Sequence, residues 1–485
     1  MSTTAQNSAS ARIAGLLDEN SFVEIGGMVT ARNTDFNLKQ KDTPSDGVIT
    51  GYGVIDNMLV YVYSQDASVL NGTMGEMHAK KIAGLYDMAM KMGAPIIGLI
   101  DCAGLRLQEA VDGLNAFGEI YMKQTLASGV IPQITAIFGS CGGGLSLVPA
   151  LADFTFMETE KGRLFTTAPN AIAENSKEKC DSASAKFQSE ETGNVDGIGT
   201  EAEILGKIRS LVAMLPANNE AGAEEAPSTD DLNRVCENME GAALDPAIAL
   251  SLISDNQTYF EVKENYAKDM VTAFIQLDGM TVGAVANRVK LFDADGNEAE
   301  TFDAVLTPNG CEKAAEFVDF CDAFQIPILT LTNVEGFTSC CVSAEKKMAK
   351  AAARLTYAFA NASVAKVNVV TGKAFGSAYN VMNSKAIGAD MVFAWPSSKI
   401  GMMNAESAAK IIYADEMKEA DRPTAFIKEK AAEYEALQGS AEAAARRGYV
   451  DTIIDSQDTR KYVIGAFEML YSKREERPFK KHGTV

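Results

Sequence analysis

The chain has 485 residues, with 44 Lys and Arg against 65 Asp and Glu, a formal net charge of −21. That length implies more than one domain, and a hydrophobic content of 47% supports large cores and excludes wholesale disorder. So acidic a chain repels phosphate backbones, which argues against nucleic-acid binding. Only two histidines occur, His78 and His482, which leaves little room for histidine metal sites or for Ser-His and Cys-His triads.

The opening stretch MSTTAQNSASAR is polar and lacks the apolar core of a secretion signal. Eight cysteines, at 102, 141, 180, 236, 311, 321, 340 and 341, form no CxxC pair. Zinc-ribbon and thioredoxin readings therefore fail, and reduced thiols in a cytoplasmic protein are expected. Residues 80–104 read as an amphipathic helix, a loop with Pro95, an apolar strand and a turn ending in glycine. Within that helix, Ala89-Met90-Lys91-Met92 matches the biotin-attachment tetrapeptide, but it ends a helix rather than crossing a hairpin, so the match is taken as coincidence. Residues 129–152 are uncharged and long enough to suggest a membrane span. Pro132, Pro149 and the run Gly142-Gly143-Gly144 break such a helix, so the segment is read as a buried strand, a glycine turn and a buried helix. Gly197-Ile198-Gly199-Thr200-Glu201-Ala202 fits a dinucleotide fingerprint, yet no apolar strand precedes it. The small and acidic residues 217–232 read as a linker, dividing the chain into domains 1–230 and 231–485. Asp293-Ala294-Asp295-Gly296-Asn297 lacks calcium-loop spacing and reads as a hairpin turn. Residues 418–449 alternate charges at helical spacing and read as one or two solvated helices.

An internal repeat organises these elements. Residues 312–336 repeat the element order of residues 80–104, with prolines offset by 327 − 95 = 232. Each copy continues through a second helix to another apolar strand, whose closing glycines are offset by 372 − 139 = 233. Two copies of one α/β domain are the consequence. In the first copy the Gly142-Gly143-Gly144 turn leads a strand into a helix, where the first backbone N–H groups have no helical partner and can hold a developing oxyanion. A tight turn chosen for packing alone is the competing reading. Gly376-Ser377-Ala378 occupies the corresponding turn of the second copy, which favours the functional reading.

Those turns lie within longer motifs: residues 43–66, GEMHAKK at 75–81, residues 108–133, GSCGGG at 139–144, NYAKDMVTAF at 265–274, KAFGSAYNVM at 373–382 and AWPSSKIGMM at 394–403. With these motifs the chain resembles the carboxyltransferase subunits of biotin-dependent acyl-CoA carboxylases and decarboxylases, over nearly its whole length. The resemblance implies an α/β fold of two tandem crotonase-like domains related by internal duplication. It implies CO2 transfer between biotin and the α-carbon of a short-chain acyl-CoA, through a thioester enolate. The acyl-CoA would lie on the first domain, with its thioester oxygen on the N–H groups of Gly143 and Gly144. Biotin, on a separate carrier, would place its ureido oxygen on the N–H groups of Ser377 and Ala378 in the second domain of another subunit. Gly142, Gly376, Phe375 and Asn380 would complete the biotin and acyl pocket, and Gly104, Arg106 and Gln65 the acyl-CoA side. The biotin ureido nitrogen would serve as the base, so no side-chain base or metal is needed and His78 is structural. The implied partners are a biotin carboxyl carrier protein, a biotin carboxylase or membrane pump subunits, and further copies of the chain, as a hexamer built from two trimers, with no membrane span of its own.

Departures from the family pattern bear on these expectations. Ala103 and Leu105 replace smaller residues and would narrow the acyl pocket; Glu335 stands where proline is common; residues 344–355 replace a glycine-rich helix start; Ser377 replaces glycine; and Asn380 sits where acyl-chain preference is tuned. Arg32, Lys39 and Lys41 are candidates for the CoA phosphates. Three alternatives remain open from sequence: a decarboxylase feeding a sodium pump, a biotin-independent hydratase or hydrolase using Glu109 or Cys141, and a CoA-binding scaffold without biotin chemistry.

Overall fold

The apolar runs of the sequence become strands buried on both faces, as parallel strands covered by helices must be. They are seen in a computed structural model that describes residues 8–32, 42–176, 179–221, 228–478 and 483. The chain divides into two units, Met1–Gly222 with Lys263–Tyr266, and Ala223–Val262 with Ala267–Val485.

The first unit runs α1 (Ser8–Leu16), β1 (Val23–Ile25), β2 (Val48–Ile55), β3 (Met58–Gln65), α2 (Glu76–Met92), β4 (Ile96–Cys102), α3 (Ala110–Ala127), β5 (Gln133–Gly142), α4 (Leu147–Ala150), β6 (Phe154–Glu158), β7 (Arg163–Phe165), α5 (Ala185–Glu190), β8 (Gly197–Gly199) and α6 (Glu201–Met214). Its sheet has the order β1-β2-β3-β4-β5-β6-β8, with β7 beside the end of β5. The first three strands are antiparallel and the rest parallel.

The second unit runs α7 (Met239–Ala242), α8 (Pro246–Ile253), β9 (Tyr259–Glu261), β10 (Met270–Leu277), β11 (Met280–Asn287), β12 (Lys290–Phe292), β13 (Glu298–Thr301), β14 (Val305–Leu306), α9 (Pro308–Ala323), β15 (Ile328–Val334), β16 (Gly336–Phe337), α10 (Val342–Asn361), β17 (Lys366–Phe375), α11 (Gly376–Val381), β18 (Met391–Ala394), β19 (Lys399–Gly401), α12 (Ala405–Ile412), α13 (Ala414–Glu419), α14 (Pro423–Tyr434), α15 (Ala441–Ala445), β20 (Thr452–Ile453) and α16 (Thr459–Leu470). Its sheet repeats the first, strand for strand: β9-β10-β11 antiparallel, then β15, β17, β18 and β20 parallel, with β19 beside the end of β17. The duplication read from the proline and glycine offsets is therefore a duplication of topology. The second copy adds the β12–β13 hairpin, whose turn is the expected Asp293–Asn297 segment with Gly296 at φ +80°.

Residues 129–152 fold as β5, a glycine turn and the four-residue α4, and no described helix is long and apolar enough to cross a membrane. Lys91 lies in the last turn of α2, ahead of Gly93 at φ +60°, so the biotin-like tetrapeptide is helical. The fingerprint at 197–202 is β8 followed by α6, whose start is closed by a capping box between Thr200 and Glu203 rather than left open for a phosphate.

Candidate active site

Both copies bend the same strand at the same place. In β4–β5 the pairing runs Ile100 with Ile137 and then Cys102 with Cys141; in β15–β17 it runs Thr332 with Val370 and then Val334 with Ala374. The second strand of each pair, β5 or β17, carries two extra residues at this step, a bulge that bends its end so that it runs beside β7 or β19. The cause is visible in the side chains. The carboxylate of Asp101 occupies the place of a Cβ on Gly139, and the carboxamide of Asn333 does the same at Gly372. Arg12 of α1 holds Asp101 at 3.2 Å, and Asn333 Oδ1 accepts the N–H of Lys373 at 3.0 Å. Sequence reasoning named the two glycines but missed Asp101 and Asn333, although the pair carries the repeat offset, 333 − 101 = 232.

The bent strand then enters a helical turn through a glycine in the left-handed region, Gly143 at φ +62° and Gly376 at φ +60°. Any L side chain is strained there. Register makes Gly143 equivalent to Gly376, so Gly144 corresponds to Ser377 and Leu145 to Ala378; the first pair is exposed and the second buried. The neighbouring aromatic has changed strands between the copies. Phe165 on β7 lies across Gly142, whereas in the second copy Phe375 is on the bent strand and Gly401 faces it from β19.

Side chains fix the carbonyls of the first turn. Ser146 Oγ donates to Gly143 O at 2.7 Å, Tyr121 Oη to Gly144 O at 2.6 Å, and Cys141 Sγ to Leu145 O at 3.6 Å. With the carbonyls tied down, the N–H groups at the start of the turn are held in fixed directions, the arrangement that stabilises an oxyanion without reorganisation. Asn380, in α11, is exposed, and its Oδ1 accepts from Ser384 Oγ at 3.3 Å. Beside the second turn, Lys373 Nζ pairs with the Glu335 carboxylate.

Opposite the first turn lies the loop that follows β4. Gly104, at φ +104°, faces Gly142: a Cβ there would stand 3.8 Å from the Gly142 carbonyl. A buried polar network carries this loop. Arg106 Nη1 bridges Asp46 Oδ1 at 2.7 Å and Glu109 Oε1 at 2.8 Å, Arg106 Nη2 donates to Thr73 O at 2.7 Å, and Glu109 Oε2 accepts the N–H of Glu76 at 2.6 Å. Asp46 Oδ2 accepts the N–H of His78 at 2.9 Å, and Asp46 O lies 2.9 Å from His78 Nδ1. His78 Nε2 lies 3.1 Å from Gln65 Nε2, while Gln65 Oε1 accepts the N–H of Asp101 at 3.2 Å. Because Gln65 Nε2 can only donate, His78 is neutral with its proton on Nδ1. Burial and the nearby Arg106 push its pKa down to about 3. Lys81, whose ammonium is desolvated and lowered to about 8, donates to the carbonyls of Ser45 and Val48. Ser45, Asp46 and Gly47 are all left-handed (φ +55°, +48° and +72°), so this turn depends on the residues that tie it.

The network changes how several sequence candidates are read. Arg106 and Gln65, expected to touch acyl-CoA, are 3% and 1% exposed with their polar atoms engaged by protein groups. Neither presents a group for the thioester or the phosphates. Leu105, expected to narrow the acyl pocket, packs into the core of the first unit beside Gly113, so its bulk is taken up there, and Ala103 remains exposed. Arg32 is held by Glu76 at 2.7 Å and by Asp112. Lys39, Lys41 and His482 lie outside the described residues. Glu109 and Cys141, the candidates for side-chain chemistry, are both buried; Glu109 is paired with Arg106, and burial raises the Cys141 thiol well above its usual range. Among the described residues no group of three or more His, Cys, Asp or Glu side chains is placed to hold a metal.

The family model of the carboxyl transferase domain matches residues 4–485. The chain belongs to the carboxyl transferase family. It is a carboxyltransferase of the biotin-dependent acyl-CoA carboxylase and decarboxylase group. It is 38% identical to methylmalonyl-CoA decarboxylase subunit alpha of Propionigenium modestum, over 98% of this chain and 92% of that one. It is 39% identical to the carboxyltransferase subunit of propionyl-CoA carboxylase of Haloferax mediterranei, with the same coverage. Among solved structures it matches the transcarboxylase 12S hexamer with methylmalonyl-coenzyme A and methylmalonic acid bound, at a TM-score of 0.91 and 36% identity, covering 98% of this chain and 91% of that one.

Proposed function

We propose that the first glycine turn is the acyl-CoA half and the second the biotin half of a carboxyltransferase site on tandem crotonase-like domains, residues 1–230 and 231–485, the two halves of each site coming from different copies of the chain. The observation that carries the reading is the repeated device itself: a bulged parallel strand ending in a left-handed glycine, Gly143 and Gly376, at equivalent registers of two equivalent sheets. The N–H groups of Gly143 and Gly144 bind the thioester oxygen of a short-chain acyl-CoA. They are worth most when the α-carbon loses its proton or carboxylate and charge moves onto that oxygen. Ser146 fixes the peptide that carries the Gly144 N–H, Tyr121 fixes the peptide after it, and Gly104 forms the opposite wall. Arg106 and Gln65 position the Gly104 loop instead of touching the substrate.

In the second unit, the N–H groups at Gly376-Ser377-Ala378 hold the ureido oxygen of biotin, with Phe375 and Asn380 as pocket walls. Biotin, delivered on a separate carrier protein, supplies the site that carries the carboxyl group. The exposed Ser377 keeps the N–H that the first copy has at Gly144, so the glycine-to-serine difference leaves the donor set intact. The similarity to methylmalonyl- and propionyl-CoA enzymes supports a substrate of that size. Decarboxylation coupled to a membrane pump is the second reading, favoured by the similarity to a decarboxylase alpha subunit. An exposed apolar stripe on and before α3, Leu107, Val111, Leu114, Met122 and Leu126, supports assembly of several copies, and the hexamer of transcarboxylase 12S is the arrangement we assign.

The test is CO2 release from methylmalonyl-, malonyl- and glutaconyl-CoA by purified protein, with and without free biotin. Biotin-dependent release is expected. Release that ignores biotin, or CoA binding without any release, would overturn the reading.

A further inference from the structure

The segment between β16 and α10 reads Thr338-Ser339-Cys340-Cys341, and nothing in the chemistry above uses it. Cys340 and Cys341 are both exposed, and their sulfurs lie 3.4 Å apart. Of the other six cysteines, only Cys180 is exposed. Cys341 stands immediately ahead of α10 in extended conformation, and its carbonyl accepts the first bond of that 20-residue helix, from the N–H of Glu345 at 3.2 Å. The pair thus sits exposed at the entry of a long helix, with the two sulfurs close enough for one to attack a mixed disulfide formed on the other.

We propose that Cys340 and Cys341 form a reversible thiol–disulfide site, oxidised by small disulfides, whose closure moves the start of α10 and through it the turn at 376–378. One thiolate attacks a sulfur of the small disulfide; that S–S bond breaks and the first small thiolate leaves, taking up a proton. The second cysteine, as thiolate, attacks the protein sulfur of the mixed disulfide and releases the second small thiol. Two protein thiols are oxidised by two electrons, and one small disulfide is reduced to two thiols.

Adjacent Cα atoms are fixed about 3.8 Å apart by a trans peptide, short of the usual ~4.4–6.8 Å for a disulfide. Closure therefore distorts the backbone at 340–341, and the resulting bond is easily reduced, as suits a switch rather than a staple. The distortion reaches the functional turn because β16 and α10, on either side of the pair, both pack against α11. The effect on turnover rests on the reading of 376–378 as a donor turn; the thiol chemistry does not.

The full chain is treated with bis(2-hydroxyethyl) disulfide, labelled under native conditions with iodoacetamide, and mapped by peptide mass spectrometry. Cys180, Cys340 and Cys341, the three exposed cysteines, should label before oxidation and again after dithiothreitol; after oxidation Cys180 should carry a small-thiol adduct, whereas the peptide with Cys340 and Cys341 should carry neither label nor adduct and be lighter by two hydrogens. Cys340→Ser and Cys341→Ser should each stop at a mixed disulfide. Biotin-dependent CO2 release should fall about ten-fold or more on oxidation, as misplaced reacting groups cause, and recover on reduction. Persistent labelling of both cysteines, or two separate mixed disulfides, would overturn the site. A closed disulfide with unchanged turnover would overturn its link to α11. A reduced protein that releases no CO2 refutes the function reading instead, and the labelling still decides the site.

Discussion

Replacing Arg106 by leucine removes the one cation shared by Asp46 and Glu109. The side chains of both carboxylates are fully buried, and Arg106 Nη1 stands 2.7 and 2.8 Å from them. Removing one partner from a buried ion pair costs about 3–5 kcal/mol, because the remaining charge has neither water nor counter-ion. For a folding unit of 222 + 4 = 226 residues, each kcal/mol moves Tm by about 2–4 °C, so a fall of about 6–20 °C is expected. The loss should also depend on pH. Desolvation already raises the Asp46 pKa, and Arg106 is the main influence lowering it, so the variant raises it further. A carboxyl whose folded pKa lies above its unfolded value costs stability as pH rises from the unfolded value towards the folded one, and the penalty is constant above both. The deficit should therefore be smaller at about pH 5, close to the unfolded carboxyl value, than at about pH 8. Calorimetry of the full chain at both values measures it. The triple variant Asp46→Asn, Arg106→Leu, Glu109→Gln carries no buried charge in the triad and should recover much of the loss. A deficit below about 1 kcal/mol, the range of exposed pairs, or one equal at both pH values, would refute the reasoning.

Gly143→Pro forbids the left-handed φ and deletes an N–H donor, so kcat should fall about 10²–10³-fold; full activity would remove the donor assignment. Tyr121→Phe frees the Gly144 carbonyl and should cost about 0.5–1.5 kcal/mol of stability, with kcat lowered more than KM; steady-state kinetics separates the two. His78 is held neutral to about pH 3 while unfolded histidine protonates near 6.5, so the unfolded state binds the extra proton between these values and stability falls as pH drops below about 6.5. His78→Gln should flatten that part of the stability profile by close to one proton, measured by urea unfolding across the range. Leu114→Glu places a charge in the exposed stripe of α3 and should dissociate the assembly in analytical ultracentrifugation while leaving far-ultraviolet circular dichroism unchanged.

Much of the architecture was legible along the chain. Proline and glycine positions repeat at a fixed offset because each marks a backbone event, a loop before a strand or a bend after it, that the fold needs twice. The two turns were visible for the same reason: a left-handed backbone leaves a trace in sequence as a glycine, as at Gly143 and Gly376. The interrupted apolar segment at 129–152 was decidable too, since prolines and three consecutive glycines cannot continue a helix.

What neighbouring strands do to one another was not legible. Asp101 and Asn333 shape the bulges from an adjacent strand, and that adjacency exists only once the sheet has formed. Arg106 and Gln65 looked like ligand-facing polar residues until Asp46 and His78, distant in sequence, enclosed them. Leu105 looked obstructive until Gly113 opened a place for it in the core. A sequence records which backbone conformations and hydrophobic periods are possible, because those are local. Whether a polar side chain meets solvent, substrate or a buried counter-ion is settled by residues brought together from elsewhere in the chain, and here only the tertiary structure decided it.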